Sequence, residues 1–114
     1  MEVPIVADSV KAGMTATWLG HATVYIEMDG KRILPDPMLS DLAFPIKLIA
    51  PKRYNPFPLS VEALPPIDIV TISHDHFDHL DMKTVKVLAT SGSQFYVGIG
   101  LKAHLIEWGI SAAQ

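Results

Sequence analysis

Residues 67–79 read Ile67-Asp68-Ile69-Val70-Thr71-Ile72-Ser73-His74-Asp75-His76-Phe77-Asp78-His79. The stretch begins with a dense β-branched run, which is typical of an interior strand covered on both faces of a sheet. Three histidines and two aspartates then follow within six positions, directly after this strand. Open α/β sheets place their ligand sites at the carboxyl ends of strands. The stretch therefore predicts an α/β fold with a site at one edge of its sheet.

This six-residue segment carries imidazole and carboxylate groups, the ligands that borderline divalent cations such as zinc take from proteins. His74 and His76 are two positions apart, so on extended backbone they point to the same side and can bind one ion together. Asp78 and His79 follow where the chain turns, and can face a second ion a few ångströms away, as in two-metal hydrolytic sites. Asp78 is predicted to act in catalysis, either as a ligand or as a base that orients water. Asp75 is expected to point away from the metals.

Zinc is the expected cofactor, with two ions in a complete site. Such a pair lowers the pKa of bound water and stabilises negative charge developing on an ester, amide or phosphate. Two fully coordinated ions need about six or seven protein ligands, so one segment supplies too few. His21, which follows a glycine at a strand end, and Asp36, between two prolines, are candidates for lining the site. Turn capping is the alternative role of Asp36, and His104 is expected to be a surface histidine.

The composition indicates one small globular domain. The chain has 114 residues, of which 49% are hydrophobic and 18% charged, which suits a single folded unit. A net charge of −3 without a basic cluster argues against a nucleic-acid partner. The chain has no cysteine and therefore no thiolate ligand. Because no stretch resembles a signal peptide or reaches the roughly 18 apolar residues of a membrane-spanning helix, we expect a cytoplasmic protein.

The elements before the histidine-rich segment are a hairpin meander and a long loop. Residues 1–13 are predicted to be a lead-in to a domain spanning residues 14–114. Strands are predicted at 14–19, 23–28 and 31–34. The second strand alternates with the period of a half-buried strand, and Asp29-Gly30 signals a hairpin whose turn positions both need positive φ.

A proline-rich stretch from Pro35 to Pro66 is predicted to be an ordered, irregular loop near the site. A structural wrap over the sheet edge is the alternative. One short helical turn is expected at 61–64, capped by Ser60.

Strand, helix, strand and helix follow this loop. The first strand is predicted at 67–73. Asp81 is predicted to cap a helix at 82–89. Its buried side is expected to carry Met82, Val85, Leu88 and Ala89. A strand at 95–97 precedes a helix with Leu101, Leu105 and Trp108 on one side, closed by Gly109.

Five motifs together resemble one known family. They are His74-Asp75-His76-Phe77-Asp78-His79, Thr17-Trp18-Leu19-Gly20-His21-Ala22-Thr23, Ile33-Leu34-Pro35-Asp36-Pro37, Pro51-Lys52-Arg53-Tyr54 and Leu64-Pro65-Pro66-Ile67-Asp68. The first matches the His-x-His-x-Asp-His signature of the metallo-β-lactamase superfamily. The set resembles its N-acyl-phosphatidylethanolamine-hydrolysing phospholipase D family and lactonase-like relatives. By this resemblance His74 and His76 bind the first zinc, and Asp78 and His79 bind the second. The implied fold is the αββα sandwich, with two pseudo-symmetric halves and the metals at one edge.

The resemblance also implies ligands that nothing after His79 matches, namely two further histidines and a bridging aspartate. We therefore expect the chain to form only the N-terminal half of the sandwich, with an apolar face that invites association. The implied function is a zinc-dependent hydrolase, most similar to a phospholipase D-type phosphodiesterase. Its expected partners are a small-molecule or phospholipid substrate, the membrane surface, and a complementary half-domain or second copy.

Two alternatives remain. The first is a truncated, non-catalytic half-domain that binds metal weakly or pairs with a partner. The second is an RNA-processing nuclease of the same superfamily, which the acidic net charge disfavours.

Overall fold

A computed structural model of the chain describes residues 13–40, 61–76 and 79–114. They form a five-stranded mixed sheet, two α-helices and one 3-10 turn. The elements are β1 Met14–Gly20, β2 Thr23–Met28, β3 Lys31–Pro35, the 3-10 turn Val61–Ala63, β4 Ile69–Ile72, α1 Met82–Thr90, β5 Gln94–Val97 and α2 Leu101–Glu107. This confirms the predicted α/β class and the predicted order of elements. The predicted bounds differ from these by at most two residues.

The strands lie in the sheet in chain order, from β1 to β5. β1 and β2 pair antiparallel, as do β2 and β3, whereas β3, β4 and β5 pair parallel. β1 therefore runs in the same direction as β3, β4 and β5. As a result, the carboxyl ends of four strands meet at one edge of the sheet, where β1 leads to His21, β3 to Asp36 and β4 to His74.

The hairpin between β2 and β3 turns on Asp29 and Gly30. Their φ angles are 49° and 78°, so both turn positions have the positive φ that the sequence predicted. The close turn keeps β2 and β3 in register, with Met28 opposite Lys31.

The hydrophobic core lies between one face of the sheet and the two helices. Leu34 and Val70 of the sheet are fully buried, and they pack in one cluster with Val85 of α1 and Leu105 of α2. Alternate residues of a strand point to opposite faces. One face of each strand therefore builds this core.

The prediction that β4 is covered on both faces is wrong for the described residues. Val70 and Ile72 are buried against the helices, but Ile69 and Thr71 are only half-buried. The reason is that both helices pack on the same side of the sheet, so the alternate residues of β4 face the other way. β4 also begins at Ile69, two residues later than predicted.

The opposite side of the sheet is mostly apolar, and we call it the open face. Residues paired across strands lie on the same face, so the register groups its side chains. Its larger apolar side chains include Met14, Trp18, Ile26, Ile33, Ile69 and Tyr96, and the polar Lys31, Thr71 and Gln94 lie on the same face. Trp18 is 59% exposed and Tyr96 60% exposed, whereas the isoleucines are half-buried.

The buried side of α1 differs from the prediction. Thr84, Val85 and Leu88 are buried, whereas Met82 is 42% exposed. Two residues correspond to about 200° around a helix, so turning Thr84 inward turns Met82 outward. The buried side of β2 is likewise its more polar one, with Thr23, Tyr25 and Glu27 facing the helices. In both elements, hydrogen bonds of the buried polar groups explain the orientation.

Tyr25 and Glu27 form one such buried pair. The Tyr25 hydroxyl donates to Glu27 Oε1 at 2.7 Å, and Tyr25 is only 2% exposed. Burial above all, together with the hydrogen bond to Glu27 and its charge, raises the pKa of Tyr25 well above its usual value, and Arg32 offsets part of this effect. The phenol therefore stays protonated in the folded protein at a pH where the unfolded chain ionises.

This raised pKa predicts a loss of stability in alkali. Above pH 10 the unfolded state loses the Tyr25 proton and the folded state keeps it, so the free energy of unfolding should fall by about 1.4 kcal/mol per pH unit from this residue. Below pH 10 the contribution is fully present. Urea unfolding at several pH values between 9 and 12 measures the slope. A Tyr25→Phe variant should lack this component, and identical slopes in both proteins would contradict the prediction.

Several predictions lie outside the described residues. They concern the lead-in up to residue 12, the proline-rich loop from residue 41 to residue 60 with the Ser60 cap, and Asp78. The division into a lead-in and a half-domain stays a prediction. In the described part of the chain, neither helix is long and apolar enough to cross a membrane, and the cytoplasmic location stays a prediction.

Candidate metal centre

Four histidine rings gather at the carboxyl edge of the sheet. The ring centroid of His74 lies 4.6 Å from that of His76 and 4.1 Å from that of His79. The ring of His21 lies 5.5 Å from that of His79. The structure thus brings the three histidines predicted as ligands together with the one predicted to line the site. His104 is exposed on α2, as expected, with its ring beside Trp108.

A single turn after β4 folds His79 back beside His74. The backbone amides of His79 and Leu80 both donate to the carbonyl of His76, at 2.9 and 2.8 Å. Leu80 is buried and belongs to the hydrophobic core, which anchors the turn. Asp75 is exposed, as is His76, and its predicted orientation away from the site stays a prediction.

His21 reaches the site because of the tight hairpin between β1 and β2. Gly20 and His21 have φ angles of 103° and 49°, which lets the chain reverse within two residues. The indole nitrogen of Trp18 donates to the His21 carbonyl at 2.9 Å. This hydrogen bond holds the hairpin tip, and with it the imidazole, at the edge where the other rings lie.

Asp36 places its carboxylate directly among these residues. Its Oδ1 accepts the backbone amide of Ser73 at 2.7 Å, and its Oδ2 accepts the Ser73 hydroxyl at 2.9 Å. The same Oδ2 lies 3.2 Å from Nδ1 of His79. A carboxylate beside Nδ1 favours the proton on that nitrogen and leaves Nε2 with a lone pair that can bind a metal. Asp36 therefore stands beside a candidate ligand as well as at the turn after β3.

The backbone after β3 adopts an unusual conformation that aims Asp36 at the site. The φ angle of Asp36 is 41°, a left-handed value uncommon for a residue with a side chain. Its amide donates to the Thr71 carbonyl at 2.8 Å. The buried hydroxyl of Thr23 donates to the Asp36 carbonyl at 2.9 Å and accepts the Met38 amide at 3.0 Å. These three bonds compensate for the strain by satisfying buried backbone groups.

Helix α1 holds the next two residues of the same segment. The hydroxyl of Thr84 accepts the Leu39 amide at 3.2 Å and donates to Asp81 Oδ2 at 2.5 Å. The same carboxylate oxygen accepts the Ser40 amide at 3.0 Å. Asp81 stands at the predicted N-cap position but makes no side-chain bond to the helix amides. Instead, it ties the segment after Asp36 to the segment after His79.

Sequence reasoning missed Ser73, Thr23 and Thr84. Ser73 could have been noticed because a hydroxyl at the end of a buried strand, next to a candidate ligand, can orient that ligand. Thr23 and Thr84 had no comparable signal, since their hydroxyls bond to backbone amides 15 and 45 positions away in the chain.

The donor set fits a divalent cation in kind. The described residues offer imidazole nitrogens within one small cluster, beside a carboxylate, which is the chemistry that zinc binds. Among residues 13–40, 61–76 and 79–114, no three histidine, aspartate or glutamate side chains converge on a point that could hold an ion. Asp78, the predicted ligand between His76 and His79, lies outside these ranges. The three predicted histidine ligands, His74, His76 and His79, are thus brought together by the fold, and their metal-binding role stays a prediction.

Comparison with known proteins extends over nearly the whole chain. A family model described as the beta-lactamase superfamily domain matches residues 15–109. N-acyl-phosphatidylethanolamine-hydrolyzing phospholipase D 1 of Caenorhabditis elegans is 41% identical over 104 residues, which cover 90% of this chain and 29% of that protein. A metal-dependent hydrolase of Metallosphaera sedula is 30% identical over 91 residues, which cover 79% of this chain and 34% of that protein.

The fold is also similar to that of a solved structure. A metallo hydrolase from the archaeon Ignicoccus hospitalis superposes with a TM-score of 0.58 at 23% sequence identity, over 84% of this chain and 36% of that protein. At this identity the likeness concerns the fold. The chain spans about a third of the length of the curated relatives it matches.

Proposed function

Because the chain belongs to the beta-lactamase superfamily, we propose that it contributes half of the active site of a metal-dependent hydrolase. The observation that carries the proposal is the meeting of His74, His76 and His79 with the carboxylate of Asp36 at the carboxyl edge of the sheet. Strand ends in open α/β sheets are where ligand sites form. The similarity to the Metallosphaera sedula hydrolase supports the same reaction class.

We propose zinc as the metal, with two ions in the complete site. His74, His76, Asp78 and His79 would hold them, because the chain has no cysteine and the segment is rich in imidazole and carboxylate. When bound, zinc supplies a Lewis acid that activates water and stabilises developing negative charge. Asp36 orients His79, and Asp78 acts as a ligand or as a base that orients the attacking water. His21 lines the site beside His79.

We propose a phosphodiester as the substrate, most like the headgroup linkage of N-acyl-phosphatidylethanolamine. The 41% identity to the Caenorhabditis elegans phospholipase D supports this choice over other esters. A phospholipid substrate lies in a membrane, so the protein would contact the membrane surface peripherally. The net charge of −3 gives no support to a nucleic-acid substrate.

The open face is where we propose that a complementary half-domain binds. Trp18 and Tyr96 lie exposed on it, and aromatic side chains dominate the energetics of interfaces. The relatives are about two to three times as long as this chain, so they have the additional sequence from which a second sheet and further ligands could come. A second copy of the chain is the alternative partner.

The experiment is a reconstitution. The chain, loaded with zinc, is mixed with the part of the Caenorhabditis elegans relative that lies beyond the matched segment, and hydrolysis of bis(p-nitrophenyl) phosphate is followed. We expect chelator-sensitive turnover only in the mixture. A His76→Ala chain should give none, whereas His104→Ala should behave as the wild type.

The outcomes separate the candidates. Strong, chelator-sensitive turnover by the chain alone would contradict the proposal of half a site. Absence of turnover in the mixture, with zinc still bound, would favour a non-catalytic half-domain. That second candidate rests on the described residues, in which no three donors converge on an ion.

A further inference from the structure

Ser73 lies between the carboxylate of Asp36 and the ring of His74. Its hydroxyl oxygen is 2.9 Å from Asp36 Oδ2 and 2.7 Å from His74 Nδ1. Its backbone amide donates to Asp36 Oδ1 at 2.7 Å. The hydrogen bonds from the Ser73 amide and hydroxyl together engage both carboxylate oxygens, and this fixes the serine side chain in one orientation. The hydroxyl therefore contacts a negative charge on one side and an imidazole nitrogen on the other.

Counting protons decides which atom donates in each contact. A hydroxyl has a single hydrogen, and an ionised carboxylate can only accept. The Ser73 hydrogen is therefore directed to Asp36, and the serine oxygen accepts a hydrogen from His74. This requires the proton of neutral His74 to be on Nδ1, which leaves the lone pair on Nε2. The opposite arrangement would place two lone pairs against each other at 2.9 Å.

We propose that Ser73 is a positioning residue: its hydroxyl donates a hydrogen bond to Asp36 and accepts one from His74, and this sets the tautomer of the His74 ring. Histidines that bind metals donate their second ring hydrogen to a carboxylate, a carbonyl or a similar acceptor. Here the Asp36 carboxylate interacts with two rings. It contacts His79 directly at 3.2 Å, and it interacts with His74 through the Ser73 hydroxyl. Both rings then present Nε2 as the donor atom. The metal-binding part of this inference rests on the proposed function, whereas the tautomer of His74 can be observed without any metal.

Nitrogen-15 NMR of the metal-free chain tests the tautomer directly. At a pH where the histidines are neutral, long-range proton–nitrogen spectra distinguish a protonated Nδ1 from a protonated Nε2. We expect His74 and His79 to carry the proton on Nδ1. In Ser73→Ala, His74 should shift toward the Nε2-protonated form while His79 stays unchanged, and Ser73→Thr should restore the wild-type spectrum. Ser91→Ala, which removes an exposed hydroxyl at the far end of α1, is the matched control.

Zinc titration then tests the consequence for the metal. Ser73→Ala should bind zinc about tenfold more weakly than the wild type, at the lower end of the range for residues that orient ligands, and Ser73→Thr and Ser91→Ala should bind as the wild type does. Thermal unfolding of each variant shows whether the fold is intact.

Each result has a separate meaning. A His74 ring protonated on Nε2 in the wild type, or one unchanged in Ser73→Ala, would overturn the role of Ser73 whatever the metal does. Equal zinc affinity of Ser73→Ala and the wild type would overturn the inference that Ser73 strengthens zinc binding through His74. If the wild-type chain binds no zinc but shows the expected tautomers, the proposed function fails, and the inference that Ser73 sets the tautomer of His74 is supported.

Discussion

Replacing His74 or His79 by alanine should weaken zinc binding by at least about 100-fold, because a ligand contributes more than the 10–100-fold of residues that only orient one. Isothermal titration with zinc measures the change. The resemblance assigns these two residues to different ions of a complete site, but their ring centroids lie only 4.1 Å apart. If the chain alone binds one ion, we expect both rings to contribute to it. If the chain holds half of a two-metal site, as proposed, the wild-type chain should take up at most one ion, loosely, because ligands are missing.

His104→Ala is the matched control for these variants. It removes the same side chain from an exposed position on α2, away from the sheet edge, and should leave the affinity unchanged. Tight uptake of two ions by the wild-type chain would show that one chain contains a complete site. An unchanged affinity in His79→Ala would exclude that ring from the ligands.

Replacing Asp36 should have the second large effect, on both zinc affinity and stability. Asp36→Ala removes the acceptor of the Ser73 amide and hydroxyl and the charge beside His79. We expect a 10–100-fold loss of zinc affinity. The free energy of unfolding should fall by about 1.5–3 kcal/mol, as for other hydrogen bonds to charged groups. Zinc titration and urea unfolding measure the two effects separately.

Two further substitutions distinguish the charge from the shape of Asp36. Asp36→Asn keeps an acceptor for the Ser73 amide but lacks the negative charge, so it should recover most of the stability and little of the zinc affinity. Asp75→Asn makes the same change in an exposed carboxylate between two predicted ligands, and should alter neither quantity. If Asp75→Asn lowers the affinity as much as Asp36→Asn, general charge near the site explains the effect, and the specific role of Asp36 is wrong.

The arrangement of polar groups shows why these effects should be local. Asp36 is held by Thr23 on one side, and the segment that follows it is held by Thr84 and Asp81 on the other. Asp81 comes two residues after His79, so its carboxylate connects the segment after Asp36 and the segment after His79 to the start of α1. A preorganised cluster of this kind reduces the movement required when a metal binds.

The elements of the fold were largely predictable from local patterns. The alternation in β2, the Asp29-Gly30 turn and the dense β-branched run of β4 each depend on residues that are neighbours in the chain. The faces were less predictable. Met82 was expected to be buried and is exposed, because Thr84 turns inward to bond with the backbone at Leu39. Periodicity ranks residues by hydrophobicity and does not register a buried hydroxyl that has a distant partner.

Which faces of β4 are covered by other elements was also not predictable from a local pattern. A run rich in isoleucine and valine indicates burial, but it does not tell whether both faces are covered by the same stretch of chain. In the described residues the helices cover one face, so Ile69 and Thr71 remain half-buried. The apolar residues of the open face can be identified from the sequence, whereas their exposure depends on where the helices pack.

The sequence by itself determined which candidate metal-binding groups this protein offers, because the residue types and their order are local properties of His74-Asp75-His76-Phe77-Asp78-His79. It also determined the sheet edge at which they lie, since they directly follow a buried strand. The tertiary structure decided what stands beside them. Asp36 and Ser73 are 37 residues apart in the chain, and they meet because β3 and β4 are parallel neighbours whose carboxyl ends coincide. Contacts between ends of different strands depend on strand order, which no local pattern specifies, and that contact allows one carboxylate to orient two imidazole rings.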